Sequence, residues 1–64
     1  MTFGERLRDM RMEKGMSQVK LAEKSGIPQV AISQYETGKH IPTVTALEWL
    51  VGALETTSTE LLGF

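Results

Sequence analysis

The residue that most restricts this chain is Gly26, because it stands between two helical segments too short to be joined loosely. Gln18 to Lys24 carry a helical pattern ahead of it, with Leu21 and Ala22 inward, and a second helix is predicted from Pro28 to about Glu36. A tight turn between two such helices can set them crossing at a steep angle. That crossing needs a small residue where they approach, a residue free to turn left-handed, and a branched apolar anchor underneath. Ala22, Gly26 four residues later and Ile32 six residues further meet the three needs in order, and Leu21, Ile27 and Tyr35 complete the wedge.

Three further helices frame this pair. Thr2 and Glu5 match a capping box, in which each side chain serves the other's backbone amide. The helix they open carries Phe3, Leu7 and Met10 at helical spacing and ends at Gly15. Ser17 caps the second helix, and Thr37-Gly38-Lys39 stops the third. After the connector His40-Ile41-Pro42, Thr43 caps a fourth helix whose apolar face is Val44, Leu47, Leu50, Val51 and Leu54. Thr57 and Glu60 read as a second capping box ahead of Leu61 and Leu62. No stretch alternates with period two, so no strands are expected. The expected class is all-α, five helices in a single domain over residues 1–64.

Composition narrows the functions open to such a chain. With no cysteine there is neither a disulfide framework nor a thiolate metal site, and a cytoplasmic setting is expected. His40 is the sole histidine, with no second ligand near it in sequence, so neither a metal nor another cofactor is expected. No nucleophile–base set or glycine-rich phosphate loop is visible, and no enzyme activity or small-molecule ligand is predicted. The most apolar stretch, Leu47 to Leu54, contains Glu48 and is far shorter than the ~20 residues of a membrane span. Net charge is −1, yet all seven Lys and Arg residues lie between Arg6 and Lys39, and beyond His40 the only charges are Glu48, Glu55 and Glu60. One end is mildly basic and the other acidic.

The run Ser17-Gln18-Val19-Lys20-Leu21-Ala22-Glu23-Lys24-Ser25-Gly26-Ile27, continued by Ile32-Ser33-Gln34-Tyr35-Glu36-Thr37-Gly38-Lys39, resembles the helix-turn-helix of the phage repressor and Cro family, here placed at about residues 18–37. The likeness extends from Leu7-Arg8-Asp9-Met10-Arg11, through Pro42 and the Leu47, Leu50, Leu54 pattern, to Leu61-Leu62. Three departures stand out. Glu55 and Thr56 replace the family's usual glycine and apolar residue, which leaves either a less sharply set link between the fourth and fifth helices or a longer fourth helix, and Pro28 replaces a polar cap.

The resemblance implies a lambda repressor-like fold in which the third helix enters the major groove of double-stranded DNA. Gln29, Val30, Ser33 and Gln34 would then face the bases. A glutamine amide, one donor and one acceptor, matches adenine N6 and N7, and valine can pack on a thymine methyl. Gln18, Lys39, His40 and Tyr35 would meet or approach the phosphate backbone, with Gln18 also orienting Gln29. Arg11 and Glu36 match positions that form a structural ion pair. Trp49, off the inward face, and Leu61, Leu62 and Phe64 make a candidate dimer surface. The expected function is sequence-specific transcriptional regulation, repressor- or Cro-like, by a homodimer on a palindromic operator. The competing expectation is a protein-interaction module of the same fold, of antitoxin or bridging-factor type, which the net acidity and Trp49 favour.

Overall fold

Four of the five helices begin after a hydroxyl residue that caps them. In the computed structural model, which describes residues 1–63, the helices are α1 (Phe3–Glu13), α2 (Gln18–Ser25), α3 (Gln29–Thr37), α4 (Val44–Leu54) and α5 (Ser58–Leu62), and no strand occurs among the described residues. Thr2 and Glu5 form both halves of the capping box, the Thr2 N–H donating to Glu5 Oε1 at 2.9 Å and the Glu5 N–H to Thr2 Oγ1 at 3.2 Å. The hydroxyls of Ser17, Thr43 and Thr57 accept from Lys20, Ala46 and Glu60 amides in the same way.

α1 packs on α3 and α5, α2 on α3 and α4, and α4 on α5. The five helices thus close a ring around one core, made of Leu7, Leu21, Ile27, Ile32, Ala46, Leu50, Ala53, Leu54 and Leu61. α3 is held in the ring by its Ile32 side, with Ala31 and Tyr35 half-buried against the same core.

Several boundaries differ from the sequence expectation. α3 starts at Gln29, not Pro28: the proline is extended (φ −57°, ψ 143°), and its carbonyl accepts from Ala31 and Ile32. It therefore stands just outside the first turn rather than in it. The second capping box is half formed. Thr57 caps α5, but the Glu60 carboxylate accepts from the Thr56 hydroxyl at 2.6 Å. α4 does not run on past Leu54. Glu55 takes a left-handed conformation (φ 53°, ψ 49°), while its own N–H and that of Thr56 bond back to Gly52 and Val51. It is the one described non-glycine residue with positive φ.

Gly4, in the first turn of α1, was not singled out by its sequence context. A Cβ there would lie 2.5 Å from the Glu36 carbonyl oxygen and 2.6 Å from that of Tyr35. α1 and the end of α3 therefore meet backbone to backbone, which only glycine permits.

Candidate nucleic-acid interface

The pair α2 and α3 turns at Gly26, whose φ of 79° is left-handed and whose N–H bonds to the Ala22 carbonyl. Ser25 Oγ accepts from the Ile27 amide and so ties down the turn's exit. Leu21 and Ile32 are fully buried beneath it, and Ala22 is half-buried against the core. With Ile32 inward, the helical step of about 100° per residue puts Ser33, Thr37, Val30 and Gln34 on one outward arc, and Gln29 on its edge at the open first turn of the helix. Gln29 is exposed, Val30 is 66% exposed, and Ser33 and Gln34 are half-buried. Thr37 turns its hydroxyl back to the Ser33 and Gln34 carbonyls.

Beyond Gly38, the Lys39 and His40 amides both bond to the Gln34 carbonyl, which fixes the backbone from which the two exposed side chains project. Tyr35 is half-buried, packed against the core.

Arg11 and Glu36 form an ion pair with side chains only 11% and 4% exposed. Arg11 Nε donates to Glu36 Oε2 at 2.7 Å and Nη2 to Oε1 at 3.1 Å, while Nη1 donates to the Met16 carbonyl at 2.7 Å. α1, the loop before α2 and the last turn of α3 are thereby joined. Gln18 enters the same cluster, its Nε2 donating to Glu36 Oε1 at 3.0 Å. This contact was not foreseen, because nothing in the sequence links residues 18 and 36 except the resemblance, which pointed Gln18 at DNA.

The candidate dimer surface does not hold together as one patch. Leu61 is fully buried, since the short α5 turns it into the core between α1 and α4, and is withdrawn from that surface. Phe64 lies outside the described residues. Leu62 lines an apolar groove of about 310 Å³ with Val44, Leu47, Glu48, Val51 and Ser58. Trp49, 53% exposed, is not part of that groove. At about 100° per residue it falls on the far flank of α4 from Leu47 and Val51. Among the described residues no group of three or more His, Cys, Asp or Glu could hold a metal ion, and no helix is long and apolar enough to cross a membrane.

Comparison with known proteins agrees with this geometry. The model of a helix-turn-helix family matches residues 7–61. The immunity repressor protein of Bacillus phage phi105 is 35% identical over 54 residues, an alignment that covers 84% of this chain and 38% of the repressor's own length. Among solved structures, the restriction-modification controller protein C.AhdI from Aeromonas hydrophila superposes with a TM-score of 0.93 at 34% identity, covering 95% of this chain and 92% of that one. The P22 c2 repressor, solved in complex with a synthetic operator, superposes with a TM-score of 0.89 at 34% identity, covering 97% and 94%. The chain belongs to the phage repressor and Cro-type helix-turn-helix family.

Proposed function

We propose that this chain is the DNA-reading part of a sequence-specific transcriptional regulator, with α3 as the helix that enters the major groove. The observation that carries the reading is the solvent-facing arc of α3, which runs from Gln29, exposed at the start of the helix, through Ser33 to Val30 and Gln34 on the side away from Ile32 and the core. Each glutamine amide can bond bidentately to an adenine edge, and Val30 supplies an apolar contact for a thymine methyl. Lys39 and His40, exposed just past the Gly38 cap, would follow the phosphates. With a net charge of −1, few phosphates are neutralised, so non-specific binding is weak and its salt dependence shallow.

Two copies paired about a two-fold axis would present two such helices to half-sites about 34 Å apart. The α4–α5 groove, with Val44, Leu47, Val51 and Leu62, is the apolar surface best suited to that pairing. Enrichment of bound duplexes from a random pool tests the reading. A two-fold symmetric consensus is expected, with Gln29→Ala costing about 1–3 kcal/mol on it and relaxing one base position. Absence of any enriched sequence, or no effect of Gln29→Ala, overturns it.

A protein-interaction module is the second reading, favoured by the exposed Trp49 and by a stretch beyond His40 whose only charges are acidic. Lack of binding to any duplex at low salt would favour it.

A further inference from the structure

We infer that Gln18 is a positioning residue for α3, bracing the helix pair at the end opposite its turn; the inference rests on the operator-reading function proposed above. The chain joins α2 to α3 through three residues, Gly26 to Pro28, between the last residue of one and the first of the other. Their far ends, Gln18 and Glu36, are linked directly by one side-chain hydrogen bond, Nε2 to Oε1 at 3.0 Å, which works beside the Arg11 bridge from Glu36 to the Met16 carbonyl. The direction of the bond is dictated by charge, because the amide oxygen turned toward the Glu36 carboxylate would be repelled. Glu36 is a firm anchor: its side chain is 4% exposed and held by two donors of Arg11, whose third donor reaches the Met16 carbonyl. A hydrogen bond to a charged acceptor in such a setting is among the stronger ones.

The lever geometry gives the consequence. Helices of 8 and 9 residues are roughly 12–13 Å long at 1.5 Å per residue. If the far ends part by ~1 Å, the pair opens by about 5° around Gly26. Gln29 sits beside the hinge and hardly moves. Gln34, near the far end, is displaced by roughly half an ångström, which is the tolerance of a base-reading constellation. Gln18 therefore governs the base step under Gln34 more than that under Gln29.

The test is Gln18→Ala in two arms. In the DNA-free protein, amide chemical shifts of Gln34 to Thr37 should move while those of Gln29 and Val30 stay; shifts confined to residues 17–20 overturn the inference whatever the chain binds. On DNA, the ratio of operator to random-duplex affinity should fall roughly tenfold, with the lost preference at the position read by Gln34 and random-duplex affinity unchanged. Gln18→Lys, whose ammonium can meet Glu36, should return the DNA-free shifts of Gln34 to Thr37 toward those of the parent. An equal loss on both duplexes identifies Gln18 as a phosphate contact and refutes the brace. If the unaltered protein prefers no sequence, the functional reading fails, and the DNA-free arm still decides the brace.

Discussion

Gly4 and Gly52 allow one chemical change to be tried at two places with opposite expected signs. Both are helical, in α1 and α4. Adding a methyl group to a helical glycine stabilises a chain by roughly 0.5–1 kcal/mol where nothing is in the way. At Gly52 nothing lies within 4 Å of the new Cβ. At Gly4 the Cβ would stand 2.5 and 2.6 Å from the Glu36 and Tyr35 carbonyl oxygens and 2.9 Å from the Glu36 carbonyl carbon, all backbone atoms that cannot rotate aside. An ordinary carbon–oxygen contact is about 3.3 Å, so α1 and α3 must separate by several tenths of an ångström. Overpacking costs about 1–3 kcal/mol, and contacts this short against backbone atoms fall in the upper part of that range, about 2–3 kcal/mol, leaving Gly4→Ala net destabilised by about 1–2.5 kcal/mol once the helix gain is subtracted. For a domain of this size each kcal/mol moves Tm by roughly 4–8 °C. Thermal unfolding followed by circular dichroism, at low protein concentration in one buffer, should show Gly52→Ala melting higher and Gly4→Ala clearly lower. A Gly4→Ala protein as stable as the parent would refute the backbone contact between α1 and α3.

Three further substitutions probe the remaining joints. Glu55→Gly should raise stability by about 0.5–1 kcal/mol in a denaturant titration, since glycine removes the left-handed strain and a carboxylate from the negative end of α4. Arg11→Ala, which strands the nearly buried Glu36, should cost about 3–5 kcal/mol, much of the stability a chain this short can have, whereas Arg11→Met with Glu36→Leu should lose far less in the same titration. The Glu5 carboxylate is held below its ordinary pKa, chiefly by the Thr2 N–H and then by the Thr2 hydroxyl. Because its folded pKa is depressed, its contribution is present above the unfolded carboxylate value and is lost as pH falls through the folded one. The Tm difference between the parent and Glu5→Ala should therefore shrink on acidification below the usual carboxylate range, and a constant difference would contradict the cap.

Local signals made most of the fold readable in advance. The caps at Thr2, Ser17, Thr43 and Thr57, the left-handed Gly26 and Gly38, and the inward Leu7, Leu21, Ile32, Leu50 and Leu54 all follow from residue type and spacing. What escaped depends on contacts between segments distant in the chain. Leu61 and Leu62 are neighbours in a helix of five residues, too short for periodicity to choose which faces inward; the approach of α1 to α5 chooses Leu61. Gly4 offered only the hint of a glycine in a helical turn with no bend to serve. The end of α4 was left open because Glu55 lacks a glycine's freedom. The carbonyls of Val51 and Gly52 nevertheless capture the next amides and hold it left-handed. At the candidate interface, the outward arc of α3 was readable from the helical period, while the grip of Glu36 on Gln18 was not.

The claim on which the function depends is that the outer arc of α3 meets DNA. Titrating isotope-labelled protein with a duplex enriched from a random pool, and mapping amide and side-chain shifts, tests it most directly. The largest changes are expected at the Gln29 and Gln34 side-chain amides, the Val30 methyls and Ser33, with lesser ones at Lys39 and His40. Changes centred instead on Trp49 or the α4–α5 groove, with α3 silent, would contradict it.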